Sequence, residues 1–169
     1  MSWNNDNVPE IVYDYDDSEA KRTIAAISAI LDKDNFGSGG TVLRNMMASA
    51  SHNLGSAVNK TANDTVKEVA DLMRDRQYRQ PSYHPGTKPW ESRKGRQRMV
   101  QGLKDHVDGN RHRIYTDVTN NGYNYSQAFE FGLLTKNYPA HHPFQDAASH
   151  LDGKLEKNAD EAIRKGFDE

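Results

Sequence analysis

The sequence predicts an α+β fold, with a long amphipathic helix and a C-terminal helix packed on a small antiparallel sheet, and a helical extension at the N-terminus. Three observations carry this expectation. Apolar side chains advance by threes and fours from Leu43 to Met73, Asp108-Gly109-Asn110 separates two alternating runs, and a second helical period follows Pro143. The expected division is an acidic arm and short helix over 1–40, then an α+β domain over 41–169.

Taken in order, the elements justify themselves locally. After Pro9, Ile11, Tyr13 and Tyr15 alternate with Val12 and Asp14, the pattern of an edge strand or of an arm that orders on assembly. Ser18 is placed to cap a helix in which Ala20, Ile24, Ile27 and Leu31 share one face, and Phe36-Gly37-Ser38-Gly39-Gly40 breaks it. The long helix follows: Leu43, Met46, Met47, Ala50, Leu54, Ala57, Val58, Ala62, Thr65, Val66, Val69, Leu72 and Met73 form its apolar stripe, with a break expected near Asn53-Leu54-Gly55. Three prolines and a basic run make 80–95 a long exposed loop.

Met99, Leu103 and Val107 then lie on one side of an alternating stretch, and His112, Ile114, Thr116 and Val118 alternate on the return, which reads as a hairpin. A short helix over 99–107 is the second reading. The last helix starts at Pro143, aligns Phe144, Ala147, Ala148, Leu151, Leu155, Ala159, Ala162 and Ile163, and stops near Gly166.

Composition limits what such a fold can do. With 35% apolar residues in a chain of 169, the core is thin, and exposed helices or surface awaiting a partner are expected. The formal charge of -2 gives the whole molecule no attraction for nucleic acid. The absence of cysteine excludes disulfides, thiolate zinc sites and cysteine nucleophiles. With neither a signal segment nor a long apolar run, a soluble protein made and used without export is expected. On that footing Asn59-Lys60-Thr61 and Asn124-Tyr125-Ser126 are chance glycosylation matches.

The charges are nevertheless segregated. Asp6, Glu10, Asp14, Asp16, Asp17 and Glu19 fall within the first twenty residues, which contain no Lys or Arg, whereas Lys88, Arg93, Lys94, Arg96 and Arg98 belong to a basic stretch running from Arg74 to Arg113. Opposite surfaces of this kind suit a molecule that meets copies of itself or a charged neighbour. The plainer reading is two solvated faces. Asp14, Asp16 and Asp17, with Lys88, Arg93, Lys94, Arg96 and Arg98, are the candidate interface.

Reaction chemistry finds little support. His141 and His142 are adjacent and so point apart, and neither they nor His150 stand at a metal-ligand spacing with an acid. Ser126 lacks a nucleophile elbow, and no phosphate loop or dinucleotide fingerprint occurs. No catalytic residue, cofactor or metal is expected. Glu130 therefore receives a structural role. Tyr125, Ala128 and Phe129 are helically spaced, Gly132 supplies a left-handed stop, and a carboxylate between Phe129 and Phe131 can accept N–H bonds from the irregular segment 133–138. Glu130, with Gly132, Tyr125, Phe129 and Phe131, is the expected loop clasp.

The run YSQAFEFGLLTKNYPAHHPFQDAASHL resembles the most characteristic stretch of the tail-completion or head-tail joining proteins of long-tailed bacteriophages. Tyr125, Phe129, Glu130, Phe131, Gly132, Pro143, Phe144 and Ala147 stand at matching positions, and the likeness spans roughly residue 41 to the C-terminus. The loop after the long helix departs from the family pattern, with Gly86-Thr87 reversed and extra basic residues, and the acidic arm lies outside it.

The resemblance implies a structural virion protein without a reaction. Such proteins form a ring, commonly a hexamer, at the head-proximal end of the tail tube and dock to a neck or head-completion protein. Subunits are monomeric before assembly in the host cytoplasm, no membrane is involved, and DNA only passes through the ring. The rival readings are a head-closure or other neck protein, a nucleic-acid-binding module using the basic loop 88–113, and a small hydrolase.

Overall fold

A computed structural model describes residues 8–16, 18–33, 39–78, 99–120, 122–133 and 138–168. The chain is α+β. Its elements are β1 (Ile11–Asp14), α1 (Ser18–Lys33), α2 (Gly39–Tyr78), a 3-10 turn (Met99–Gly102), β2 (Leu103–Asp108), β3 (Arg111–Thr116), β4 (Thr119–Asn120), β5 (Tyr123–Asn124), α3 (Tyr125–Phe131), α4 (Pro143–Ser149) and α5 (Leu151–Asp168). The predicted loop at 80–95 lies outside the described residues. No helix among the described residues is long and apolar enough to cross a membrane.

The chain forms two compact units, and they do not follow the expected division at residue 40. One comprises Met1–Tyr13 and Ala62–Leu151, the other Asp14–Thr61 and Asp152–Glu169. Spatial packing ignores chain order: α2 and α5 each contribute to both units, so no boundary falls between elements.

The first unit is built around a sheet of order β1-β3-β2. β2 and β3 pair antiparallel from Leu103↔Thr116 to Asp108↔Arg111, so Gly109 and Asn110 make a two-residue turn. Gly109 takes φ 60 while Asn110 does not have positive φ, the signature of a type II′ turn, in which glycine occupies the first central position. The inward alternation on β3 is strict: His112, Ile114 and Thr116 are buried. Val107, placed on the same side as His112 by the register, is nonetheless 49% exposed, one pair from the turn of the hairpin. Both sequence readings of 99–107 hold a part of the truth, since a 3-10 turn over Met99–Gly102 leads directly into the strand. Ala62, Thr65, Val69 and Met73 on α2 are fully buried in this unit, with Phe129, Phe144, Ala147 and Leu151 completing its interior.

The second unit is helical. Thr61 and Asn158 are its polar centre: the Thr61 hydroxyl donates to Ala57 O at 2.9 Å and accepts from Asn158 Nδ2 at 2.8 Å, while Asn158 Oδ1 accepts from Lys60 Nζ at 3.2 Å. Satisfied in this way, buried polar groups add specificity without a desolvation penalty. Of the expected apolar face of α1 only Ile27 has a described side chain, those of Ala20, Ile24 and Leu31 lying outside the described residues. Among its described side chains only Ser28 is buried, and Ile27 and Ile30 are 46% and 59% exposed, because periodicity marks a face without supplying a partner for it. The cap also moves by two residues: the Asp16 carboxylate accepts from Ser18 N at 2.9 Å, a stronger acceptor for a helix N-terminus than the expected serine hydroxyl.

Two further expectations are corrected. α2 runs unbroken through Gly55, since a single glycine weakens a helix by only about 1 kcal/mol and packing along so long an element outweighs it. The C-terminal helix is instead broken at His150, where the Ser149 hydroxyl donates to the Asp146 carbonyl at 2.6 Å and the His150 ring meets Glu68 at 2.7 Å. Side-chain bonds to helix carbonyls compete with the backbone ladder.

A β-carbon added at Gly55 or Gly153 meets no atom within 4 Å. Gly55→Ala and Gly153→Ala are each expected to raise the unfolding free energy by about 0.5–1 kcal/mol, measured by urea denaturation. No gain at Gly55 would mean that α2 is not helical there.

Candidate functional site

The site forms where α3 hands the chain to α4. Asn124 caps α3: its Oδ1 accepts from Ser126 N at 2.9 Å and from the Ser126 hydroxyl, while its Nδ2 donates to Thr116 O at 2.7 Å. Asn124 and Ser126 are both buried, so this sequon is a helix cap, and the serine considered as a nucleophile is occupied. An Asn two residues ahead of Ser at a helix start is itself a capping signal, which could have identified this residue from sequence.

α3 ends at Gly132, whose φ 74 and ψ 177 lie in the region open essentially to glycine alone rather than in the left-handed helical region expected. A β-carbon there would stand 2.7 Å from Tyr138 O and 2.8 Å from Ala140 N, both backbone atoms. The loop it begins is closed by Leu133 and Tyr138, which exchange N–H···O bonds of 2.8 and 3.1 Å. Its far end pairs back onto α3, with His141 N donating to Phe129 O at 2.9 Å and His142 N to Glu130 O at 3.3 Å.

Glu130 is 2% exposed. Its Oε2 accepts from Phe144 N and its Oε1 from Gln145 N, both at 2.9 Å. Its described donors are thus the first free N–H groups of α4, while residues 134–137 of the expected donor segment lie outside the described residues. The reason is local. Pro143 at the first helical position has no N–H, and His142 at the cap holds a left-handed backbone (φ 49, ψ 42) with no side-chain cap bond. A carboxylate supplied from α3 takes the role of the missing cap and meets the positive end of the peptide dipoles.

Phe129, 1% exposed, packs against the His141 ring at 4.6 Å, and Tyr138 meets the same ring edge-on. Arg76 of α2 donates to both His141 O and Asp146 Oδ2, tying the loop end to the first turn of α4. This anchor is 65–70 residues distant in sequence, and no pattern announced it. Phe131 stands outside the clasp at 57% exposure, because two residues beyond Phe129 it turns to the other side of α3; Tyr125, four residues before Phe129 and on its face, is nonetheless 43% exposed at the start of the helix.

The candidate interface is described only in part. Asp14 is exposed at the end of β1, and Asp16 caps α1; Asp17, Lys88, Arg93, Lys94, Arg96 and Arg98 lie outside the described residues. Two neighbouring bases are already matched, Lys104 by Asp117 and Arg113 by Glu10 at 2.6 Å. The acidic arm thus finds one of its basic partners within the chain.

A buried polar group that sequence reading passed over lies on the inward side of the sheet. His112 Nδ1 meets Asp105 Oδ2 at 2.7 Å, and the Tyr13 ring stacks on His112 at 5.0 Å with planes 5° apart. Burial, and after it the Asp105 carboxylate, raises the Tyr13 hydroxyl well above the ordinary tyrosine range. Among the described residues no three metal-ligating side chains come together.

Glu130→Ala is expected to lose about 1–3 kcal/mol in chemical denaturation, since the buried Phe144 N–H and the part-buried Gln145 N–H lose their acceptor. Glu130→Gln should lose less, as one acceptor oxygen remains. Gly132→Ala should cost on the order of 3 kcal/mol through its backbone conformation and the overlap with Tyr138 and Ala140. Wild-type melting of both Glu130 variants would show that the carboxylate holds nothing.

His141 gives a pH prediction of definite sign. Burial, then Arg76 and His142, lowers its pKa from the ordinary histidine value of about 6.5. Its folded form therefore resists protonation, so its contribution to stability is complete above that pH and falls as pH drops toward the lower folded value. NMR titration of the ring should give a midpoint below that of free histidine; a higher midpoint would reverse the sign.

Compared with known proteins, the chain matches no protein-family model, no curated protein and no solved structure.

Proposed function

We propose that this chain is a structural virion protein, a tail-completion or head-tail joining component that forms a ring of copies at the head-proximal end of a phage tail and docks to the neck. One observation carries the reading most directly. The residues behind the resemblance, Phe129, Glu130, Gly132, Pro143, Phe144 and Ala147, serve one structural task, fastening α3 to α4 across a glycine-dependent loop. A motif of that kind suits a protein whose product is a shaped surface. The thin core and the exposed Ile27 and Ile30 fit a subunit completed by neighbours.

The nucleic-acid reading has one feature in its favour. Lys104 and Arg113 lie over the Tyr115 ring at 5.3 and 5.7 Å, a cationic and aromatic pairing of the sort that stacks on bases. Asp117 and Glu10 already neutralise both cations, which leaves less charge for phosphates.

Micrographs of particles made without this protein should contain filled heads and tails that do not join. Reversing Arg93, Lys94 and Arg96 to Glu should leave melting nearly unchanged while abolishing joining in a complementation assay, the outcome for charges that serve partner choice rather than folding. Normal virions made without the protein would overturn the proposal, and normal virions from the reversed variant would remove the charged interface. Salt-sensitive binding to random duplex DNA would favour the nucleic-acid reading instead.

A further inference from the structure

The edge of β3 opposite β2 is covered by a strand from far away in the sequence. β2 and β3 form a self-contained hairpin, and β1, the first strand of the chain, completes the sheet beside β3. β1 is recognised there by side chains at alternate positions. Ile11 and Tyr13 are 4% and 9% exposed, Tyr13 lies flat on His112, and Asp105 holds that ring by its Nδ1. On the outward side Glu10 Oε2 accepts from Arg113 Nε at 3.1 Å and Nη2 at 2.6 Å. The seat therefore selects an acid, an aliphatic and an aromatic residue in that order.

The covalent route to this seat is indirect. Met1–Tyr13 belongs to the same compact unit as Ala62–Leu151, whereas Asp14–Thr61, which follows at once, belongs to the other. Only Tyr15, Asp16 and Asp17 separate β1 from α1. Nothing in the seat depends on which copy of the chain supplies the strand, since every contact is made by β1 and the residue just before it. Without β1, the edge of β3 would present unpaired N–H and C=O groups, a template for another strand. Exchange of an identical element between copies keeps every native contact and needs only a change at the connecting residues.

We propose that β1 is an exchange strand: when copies of this chain associate, β1 of one copy seats on β3 of the next and makes the Glu10, Ile11 and Tyr13 contacts between chains. The inference takes its partner, a second copy, from the ring reading above. The association it describes is concentration-dependent, because the bonds and packing that form between chains only replace their equivalents within one chain, and joining two molecules costs translational freedom.

The chain has no cysteine, so single thiols can be placed without background. Glu10→Cys and Arg113→Cys chains, whose replacements leave Ile11 and Tyr13 in place, are unfolded, mixed, refolded together at several concentrations and treated with a short bis-maleimide. The expected result is a covalent dimer of one chain of each kind, rising with concentration and well above the homodimers that either variant forms alone. The double variant should give internally linked monomers when dilute and multichain ladders when concentrated. Internal links alone at every concentration, or mixed dimers no more abundant than homodimers, would overturn strand exchange. Light scattering on the same samples separates the two ideas. Assemblies without links between chains would leave the ring standing and remove only the exchange, whereas the ring itself is decided by the virion micrographs.

Discussion

Two hydrogen bonds from one buried carboxylate decide how this chain turns from α3 to α4. Glu130 gives an oxygen to each of the first two free N–H groups of α4, and its own carbonyl receives the N–H of His142. The proline that starts the helix and the left-handed histidine before it leave no local cap, so the turn depends on an acceptor delivered from elsewhere. Left-handed backbone at His142 costs on the order of 1–3 kcal/mol and persists because its surroundings fix it on both sides. Gly132 makes the delivery possible, since only a residue without a side chain lets Tyr138 and Ala140 come so close.

The same economy extends through the interior. A chain with few apolar residues buries Thr61, Thr65, His112, Thr116, Asn124, Ser126, Glu130 and Asn158 beside its aliphatic core. Most of their bonds run to one another or to the backbone, as in Asn124 to Thr116 O and Asn158 to Thr61. Polar groups satisfied in this way fix geometry more sharply than apolar contact does, at the risk that losing one partner strands the other. Each compact unit thus has a polar lock of its own: Asn158 with Thr61 in one, Glu130 with the start of α4 in the other.

Such locks have a direct structural use. Backbone pairing of Leu133 with Tyr138 and the bonds from Arg76 to His141 and Asp146 fix the approach to α4 without a large core. The exposed side of the chain is then left to charge. Glu10 and Arg113 meet at the surface, where pairing guides orientation more than it adds stability.

What the sequence determined by itself was local. Alternation gave β1 and β3, the Gly109 turn gave the hairpin, the apolar stripe gave α2, and Phe129-Glu130-Phe131-Gly132 marked a carboxylate held beside a glycine stop, because each of these follows from the geometry of neighbouring residues. Tertiary structure decided the partners. That Glu130 would cap α4, that Arg76 would anchor His141 and Asp146, that Tyr13 would stack on His112, and that Ile27 would remain exposed all depend on which surfaces meet across long stretches of chain. Hydrophobic period names a face and a buried acid demands donors, but neither carries the address of its partner, which only the packed chain supplies.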